Sequence, residues 1–233
     1  MLLAMTNQHE RRRLAALILA FSVASLGAAE ARASDSAAPV FGLAALGSNS
    51  GAGLSADAGL RFAGGQQLGI ALASEGLWTA HLGGQVAKGV SASEARAFTL
   101  LPLLTARNLE LDLRLSSGAR YLRDVGGLET HRDALRSTTE LALLAHVRLG
   151  ERYLLRTGVL LGFDLELSPT TSLADQSQSL SVGLGRTLGA STLLYAHVDA
   201  GGSYGFDGDN GKAIVRGALG LRFPLGGDAR TAF

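Results

Sequence analysis

Cysteine is absent from the 233 residues, which excludes a disulfide scaffold and thiol chemistry. Aromatic residues are scarce, at 6%, so any structure that needs them must use them sparingly. Charge is nearly balanced, with 21 Lys and Arg against 20 Asp and Glu. Such a chain has no electrostatic reason to bind nucleic acid or an acidic substrate. Long apolar runs are missing as well. Beyond residues 14–29, the apolar residues (47% of the chain) are dispersed by alternation and never gather into the block of about 20 that a membrane helix needs.

What is present begins with an address. Arg11, Arg12 and Arg13 form a basic start, Leu14 to Ala29 is apolar, and two Ala-x-Ala sites follow at Ala29–Ala31 and Ala31–Ala33. This is the pattern of a secretory signal peptide over residues 1–33, cleaved between Ala33 and Ser34. The removed segment holds four Arg and two Glu, which takes the net charge from +1 to −1. The remaining residues, 34–233, suit one domain.

The strongest pattern in that domain is a period of two. Between Arg152 and Ser168, Tyr153, Leu155, Thr157, Val159, Leu161, Phe163, Leu165 and Leu167 occupy every second position. Alternation over that length predicts one extended strand with a continuous apolar face. Soluble strands average about 5–6 residues, whereas a tilted membrane-crossing strand needs about 9–11. Ten such segments are expected, at roughly 39–47, 53–63, 66–87, 95–106, 108–122, 137–149, 152–168, 178–188, 191–206 and 213–225. The segment 66–87 contains Glu75-Gly76, a hairpin-like pair, yet its apolar residues keep one parity across it. A two-residue hairpin would reverse that parity. Splitting the segment would give an odd count unless 39–47 is not a strand, so eight and twelve strands stay as alternatives.

The connections alternate between short turns, at Gly64-Gly65, Arg107-Asn108, Gly150-Glu151 and Gly189-Ala190, and longer links at 48–52, 88–94, 123–136, 169–177 and 207–212. That rhythm predicts a closed antiparallel transmembrane β-barrel with both ends in the periplasm. Glycine, 31 residues spread through the strands, argues against long helices and suits a crowded barrel interior. A periplasmic β-sandwich would also show alternation. The aromatic residues separate the two readings. With about 2.5 Å of height per residue, Phe41, Phe62, Tyr153 and Phe223 fall near one rim, and Trp78, Phe98, Tyr121, Phe163, Tyr204 and Phe206 near the other. Two aromatic levels with an aliphatic band between them are expected of interfacial girdles.

On these features the chain resembles small single-chain outer-membrane β-barrels of Gram-negative type, over about residues 39–233. Val215, Leu219, Leu221, Phe223 and Leu225 form a final amphipathic strand, and the chain ends at Phe233. The resemblance implies insertion by the barrel-assembly machinery and contact with outer-membrane lipid and lipopolysaccharide.

The parity that faces the lumen collects Asp57, Glu110, Asp112, Arg114, Glu140, Arg148, Arg156, Asp164, Glu166, Asp199, Arg216 and Arg222. The bore of a ten-stranded barrel is only slightly wider than that of eight, which side chains fill. These charges must therefore pair or stay hydrated. The expected lumen is cross-linked and mostly blocked, without the single-sign ring that marks an ion channel. His81, His146 and His197 share the inward parity but fall at different heights, so they predict no metal site. His197-x-Asp199 places an imidazole and a carboxylate on one face, as a hydrolase could use, but no partnered serine stands out. Asp207-Gly208-Asp209-Asn210-Gly211 resembles a calcium loop only in its start. Ala218 stands where the twelfth-position acid belongs, so a hairpin turn is the reading.

The longest and most charged link, 123–136, is the expected site of any surface partner. The sequence thus predicts an integral outer-membrane protein with a filled lumen, no catalytic residue, no cofactor and a structural or surface-interaction role. A narrow low-conductance pore is the alternative, and a hydrolase using His197 and Asp199 a third.

Overall fold

The structure is a computed structural model that describes residues 37–82, 85–125, 133–168, 172–189, 192–205 and 211–225. The signal segment, its cleavage site at Ala33–Ser34, residues 126–132 of the link expected to meet a surface partner, Phe206, the 207–211 acidic loop up to Asn210, and Phe233 lie outside these residues.

Alternation along the chain becomes ten strands: β1 (Ala38–Ser48), β2 (Gly51–Arg61), β3 (Gln67–Leu82), β4 (Gln85–Thr105), β5 (Leu109–Asp124), β6 (Ala134–Leu149), β7 (Tyr153–Ser168), β8 (Ser172–Thr187), β9 (Leu193–Gly205) and β10 (Lys212–Pro224). Each pairs antiparallel with its neighbour in sequence, and β10 returns to pair with β1, closing the wall. The seam runs from Val40 opposite Pro224 to Ser48 opposite Arg216. Closure leaves no backbone edge to water or lipid, the condition for a sheet to cross a bilayer.

Strand bounds differ from those expected: β4, β6 and β8 are longer, β7 and β9 slightly shorter, and the expected strand 66–87 ends at Leu82, with Gln85 already opening β4. Glu75-Gly76 is not a turn: β3 passes through it, pairing with Ala52 and Gly53 on one side and Ser91 and Ala92 on the other. The expected link 88–94 is part of β4, a strand of 21 residues. The expected link 169–177 gives most of its length to β8. The short/long rhythm of connections therefore does not hold, because ladder hydrogen bonding consumes link residues wherever partners remain available. Only two residues separate β1 from β2, at the end of the barrel away from the termini. We call that end the far end.

Side-chain direction follows the pleat. Thirty large hydrophobic residues among those described are exposed, far more than the apolar patch that a water-soluble monomer tolerates. Leu43, Leu54, Ile70, Leu143, Val159, Leu180, Val198 and Leu219 are among them, so the belt reaches around the wall. A 16-residue strand measures about 53 Å at the usual rise and, tilted by about 40°, still climbs about 40 Å, more than the apolar band of about 25 Å. Phe41 and Phe223 are partners across the seam. With Tyr153 they occupy outward positions toward the termini end, where Phe62 lies in the turn after β2. Trp78 (60% exposed), Tyr121 and Tyr204 stand outside toward the far end, and Phe163 shares the outward alternation of β7.

Phe98 departs from the expected girdle. It is 3% exposed and shares the inward alternation of β4 with Glu94 and Arg96. Both parities of 95–106 are apolar there, Phe98 and Leu100 on one and Ala97, Leu101 and Leu103 on the other. Periodicity alone could not choose between them.

Candidate functional site

Inward positions of the ten strands build a lumen that holds two separate-walled cavities. A cavity of about 300 Å³ reaches from mid-barrel to the β1–β2 turn at the far end, lined by Arg96, Arg114, Glu140, Arg156, His197 and Asp199 among others. A second cavity, of about 270 Å³, lies at the termini end and is lined by Arg61, Gln67, Glu110, Asp112 and His146. The two share no lining residue.

Register identifies what stands between them. On β2 the lining passes from Arg61 to Asp57, on β3 from Gln67 to Ala71, and on β4 from Leu100 to Arg96. The inward residues skipped are Gly59, Gly69 and Phe98, and these are successive register partners across β2, β3 and β4. A Cβ on Gly69 would lie 2.6 Å from the Phe98 ring. The missing side chain is thus the space that the ring occupies. On the opposite wall Leu154 of β7 and Leu193 and Tyr195 of β9 are buried together. The Arg114 guanidinium covers the other side of the ring, 5.1 Å from its centroid.

Above this layer charges pair within and across strands. Arg120 donates to Glu75 at 2.5 Å, and Arg96 bonds Glu94 and approaches Glu140 at 3.7 Å. Thr138 donates to Glu94 at 2.9 Å. Arg136 reaches Glu166 at 3.2 Å and Asp175 at 3.5 Å. Arg222 reaches Asp57 at 3.5 Å. That bridge crosses Gly42, the register partner of both residues, where a Cβ would fall 2.2 Å from the Asp57 Oδ1. Below the layer, Arg148 donates to Glu110 at 2.6 Å, and His146 Nδ1 lies 3.0 Å from Asp112.

The twelve charges expected in the lumen, Asp57, Glu110, Asp112, Arg114, Glu140, Arg148, Arg156, Asp164, Glu166, Asp199, Arg216 and Arg222, all share the inward alternation of their strands. Further inward charges that were not anticipated include Arg61, Glu75, Glu94, Arg96, Arg120, Asp124, Arg136 and Asp175. Glu75 stood on the inward parity of 66–87 and was passed over, while Glu94, Arg136 and Asp175 stood in apparent links. Arg96 shares the parity that Phe98 was expected to turn toward lipid. For Arg120, on the same inward parity as Arg114, the signal was present and passed over.

His146 and His197 lie at different heights, as expected. His146 is at the termini end and His197 lines the far-end cavity, stacked on Tyr195 with ring centroids 6.0 Å apart. His197 Nε2 lies 3.8 Å from Asp199 Oδ2, too far for a hydrogen bond. The buried Ser181 is the register partner of Asp199, but its hydroxyl has no hydrogen-bond partner. Ser181, His197 and Asp199 are therefore not joined as nucleophile, base and orienting acid.

Neither a protein-family model nor a curated protein sequence matches the chain. Among solved structures it is similar to the beta domain of the Bordetella autotransporter BrkA, at 12% identity and a TM-score of 0.49, over 82% of this chain and 100% of that one. It is also similar to the outer membrane protease OmpT from Escherichia coli, at 10% identity and a TM-score of 0.41, over 81% of this chain and 93% of that one. A third is a loop-deletion mutant of OmpT, an outer membrane protein of Vibrio cholerae, at 9% identity and a TM-score of 0.35. The match covers 75% of this chain but spans only 54% of the Vibrio protein. At such identities nothing of those proteins' activities carries over. By its own geometry, closed, apolar outside and ion-paired within, the chain is a β-barrel of the outer-membrane type.

Proposed function

We propose that this protein is an integral component of the bacterial outer membrane whose barrel is filled with side chains and does not conduct. Its role is structural or one of surface interaction, without catalysis. One observation carries the reading: Phe98, seated over Gly69 and beneath Arg114, separates two cavities that share no wall. Outer-membrane lipid and lipopolysaccharide contact the apolar belt, and the barrel-assembly machinery inserts the chain. A surface partner engages the connection between β5 and β6, whose base is tied by a hydrogen bond from the Tyr121 hydroxyl to Asp133. No cofactor is needed for this role.

Two measurements test it. A folded barrel extracted from membranes migrates differently in detergent gels before and after boiling, and planar bilayers containing it show no discrete current steps. Steps in the unmodified protein would replace this reading with that of a narrow solute pore. The pore is the second reading because a single side-chain layer divides the lumen. Cleavage of lipid or peptide that disappears in His197→Ala or Asp199→Asn would install the hydrolase instead.

A further inference from the structure

At the termini end, Glu110 and Asp112 lie two residues apart on the inward face of β5. Register sets His146 of β6 directly opposite Glu110. Each of the three offers one ligand atom, and these atoms all fall within 4.8 Å of one another. We propose that Glu110, Asp112 and His146 form a binding site for a divalent transition metal, with zinc the best fit.

The chemistry of the donors selects the metal. One imidazole nitrogen with carboxylate oxygens suits zinc and its first-row neighbours. Calcium takes 6–8 oxygens and gains nothing from imidazole. Tetrahedral zinc bonds of about 2.0–2.1 Å set neighbouring donors about 3.3 Å apart. His146 Nδ1 and Asp112 Oδ2 are already 3.0 Å apart, so small side-chain rotations bring the set into range. Two carboxylates neutralise the ion's charge. Arg148 holds the Glu110 Oε1 at 2.6 Å, orienting the carboxylate and leaving its second oxygen for the metal, as outer partners of metal ligands do.

A separate observation points to a ligand in the same place. Gln67 lines this cavity and is 3% exposed, with its amide nitrogen buried and without a hydrogen-bond partner. A buried amide left unmatched is costly. A half-turn of the amide presents its oxygen instead, either as a fourth ligand or as acceptor for a metal-bound water. Arg61 lines the cavity too, and its charge opposes a second cation, so the site takes one ion.

The test uses the full chain, folded in detergent and stripped of metal with EDTA, titrated with zinc chloride by calorimetry. One zinc per chain is expected, with calcium failing to compete. His146→Gln and Asp112→Asn abolish the heat, and Gln67→Leu weakens binding about 10-fold, in the range of partners outside the ligand set. Unchanged heat-dependent gel migration shows that each variant is folded, and Glu110→Gln replaces any that is not. Cobalt substituted for zinc reports nitrogen and oxygen donors in its visible spectrum, a band that His146→Gln shifts. No heat from the wild-type chain, or equal uptake by His146→Gln, overturns the site. Neither result bears on whether the lumen conducts.

Discussion

Arg114 holds its guanidinium 5.1 Å from the centre of the Phe98 ring, and this pair is part of the layer of side chains that fills the bore between the two cavities. Stacking on an aromatic face is among the few buried environments that suit a weakly hydrated guanidinium. The ring in turn rests where Gly69 has no side chain. Three residues on three strands thus act as one partition.

Phe98→Ala is expected to breach that partition. Discrete conductance steps appear in planar bilayers, where the parent shows none. Truncating a buried Phe in a core costs about 3–5 kcal/mol, and water entering a charged lumen keeps the loss at the low end. Urea titration of folded fraction measures it. Silent bilayers from a folded variant would mean that other side chains close the bore.

Gly69→Ala tests the same contact from the other side. Its Cβ would lie 2.5 Å from the Ala58 carbonyl oxygen and 2.6 Å from Phe98, and backbone does not yield as a flexible side chain does. We expect a loss of about 1–3 kcal/mol, the range for overpacking. Gly47→Ala is the control: nothing lies within 4 Å of the new atom, so its change stays within about 0.5 kcal/mol.

Leu180→Arg distinguishes lipid from water outside the barrel. Leu180 is 65% exposed near the middle of β8. An Arg at a bilayer midplane destabilises a barrel by about 2–4 kcal/mol, whereas on a water-facing surface it changes stability by about 0.5 kcal/mol or less. Folding titrations in lipid vesicles decide between these. A neutral outcome would place the belt in water.

Arg136→Ala removes the shared partner of Glu166 and Asp175. Breaking a buried pair by deleting one member costs about 3–5 kcal/mol, because Glu166, 5% exposed, keeps a charge it cannot discharge to water. Adding Glu166→Gln recovers part of the loss. A double-mutant cycle on residues 136 and 166 should show coupling of about 0.5–3 kcal/mol.

The wall was readable from alternation because its two sides face opposite solvents. Over β7, the residues Tyr153 to Leu167 left no ambiguity. Where both parities are apolar, as at Phe98 and Leu101, alternation carries no sign, and the partition was hidden for that reason. Strand ends were misread at Glu94, Arg136 and Asp175, since polar residues facing a wet lumen look like loop residues. The group Glu110, Asp112 and His146 was visible only as three separate inward positions. Their meeting depends on the β5–β6 register, which no short turn fixes: Asp124 and Ala134 are nine residues of connection apart.

The seam between β1 and β10 has a consequence for biosynthesis. Phe41 and Phe223, mates in the finished wall, are separated by nearly the whole chain. A ribosome product halted before β10 holds two raw ladders of amide and carbonyl groups, neither of which hydrocarbon can satisfy. Insertion must therefore wait for, or be coordinated with, arrival of the last hairpin, and whatever chaperones the polypeptide beforehand has to shield both orphaned borders at once.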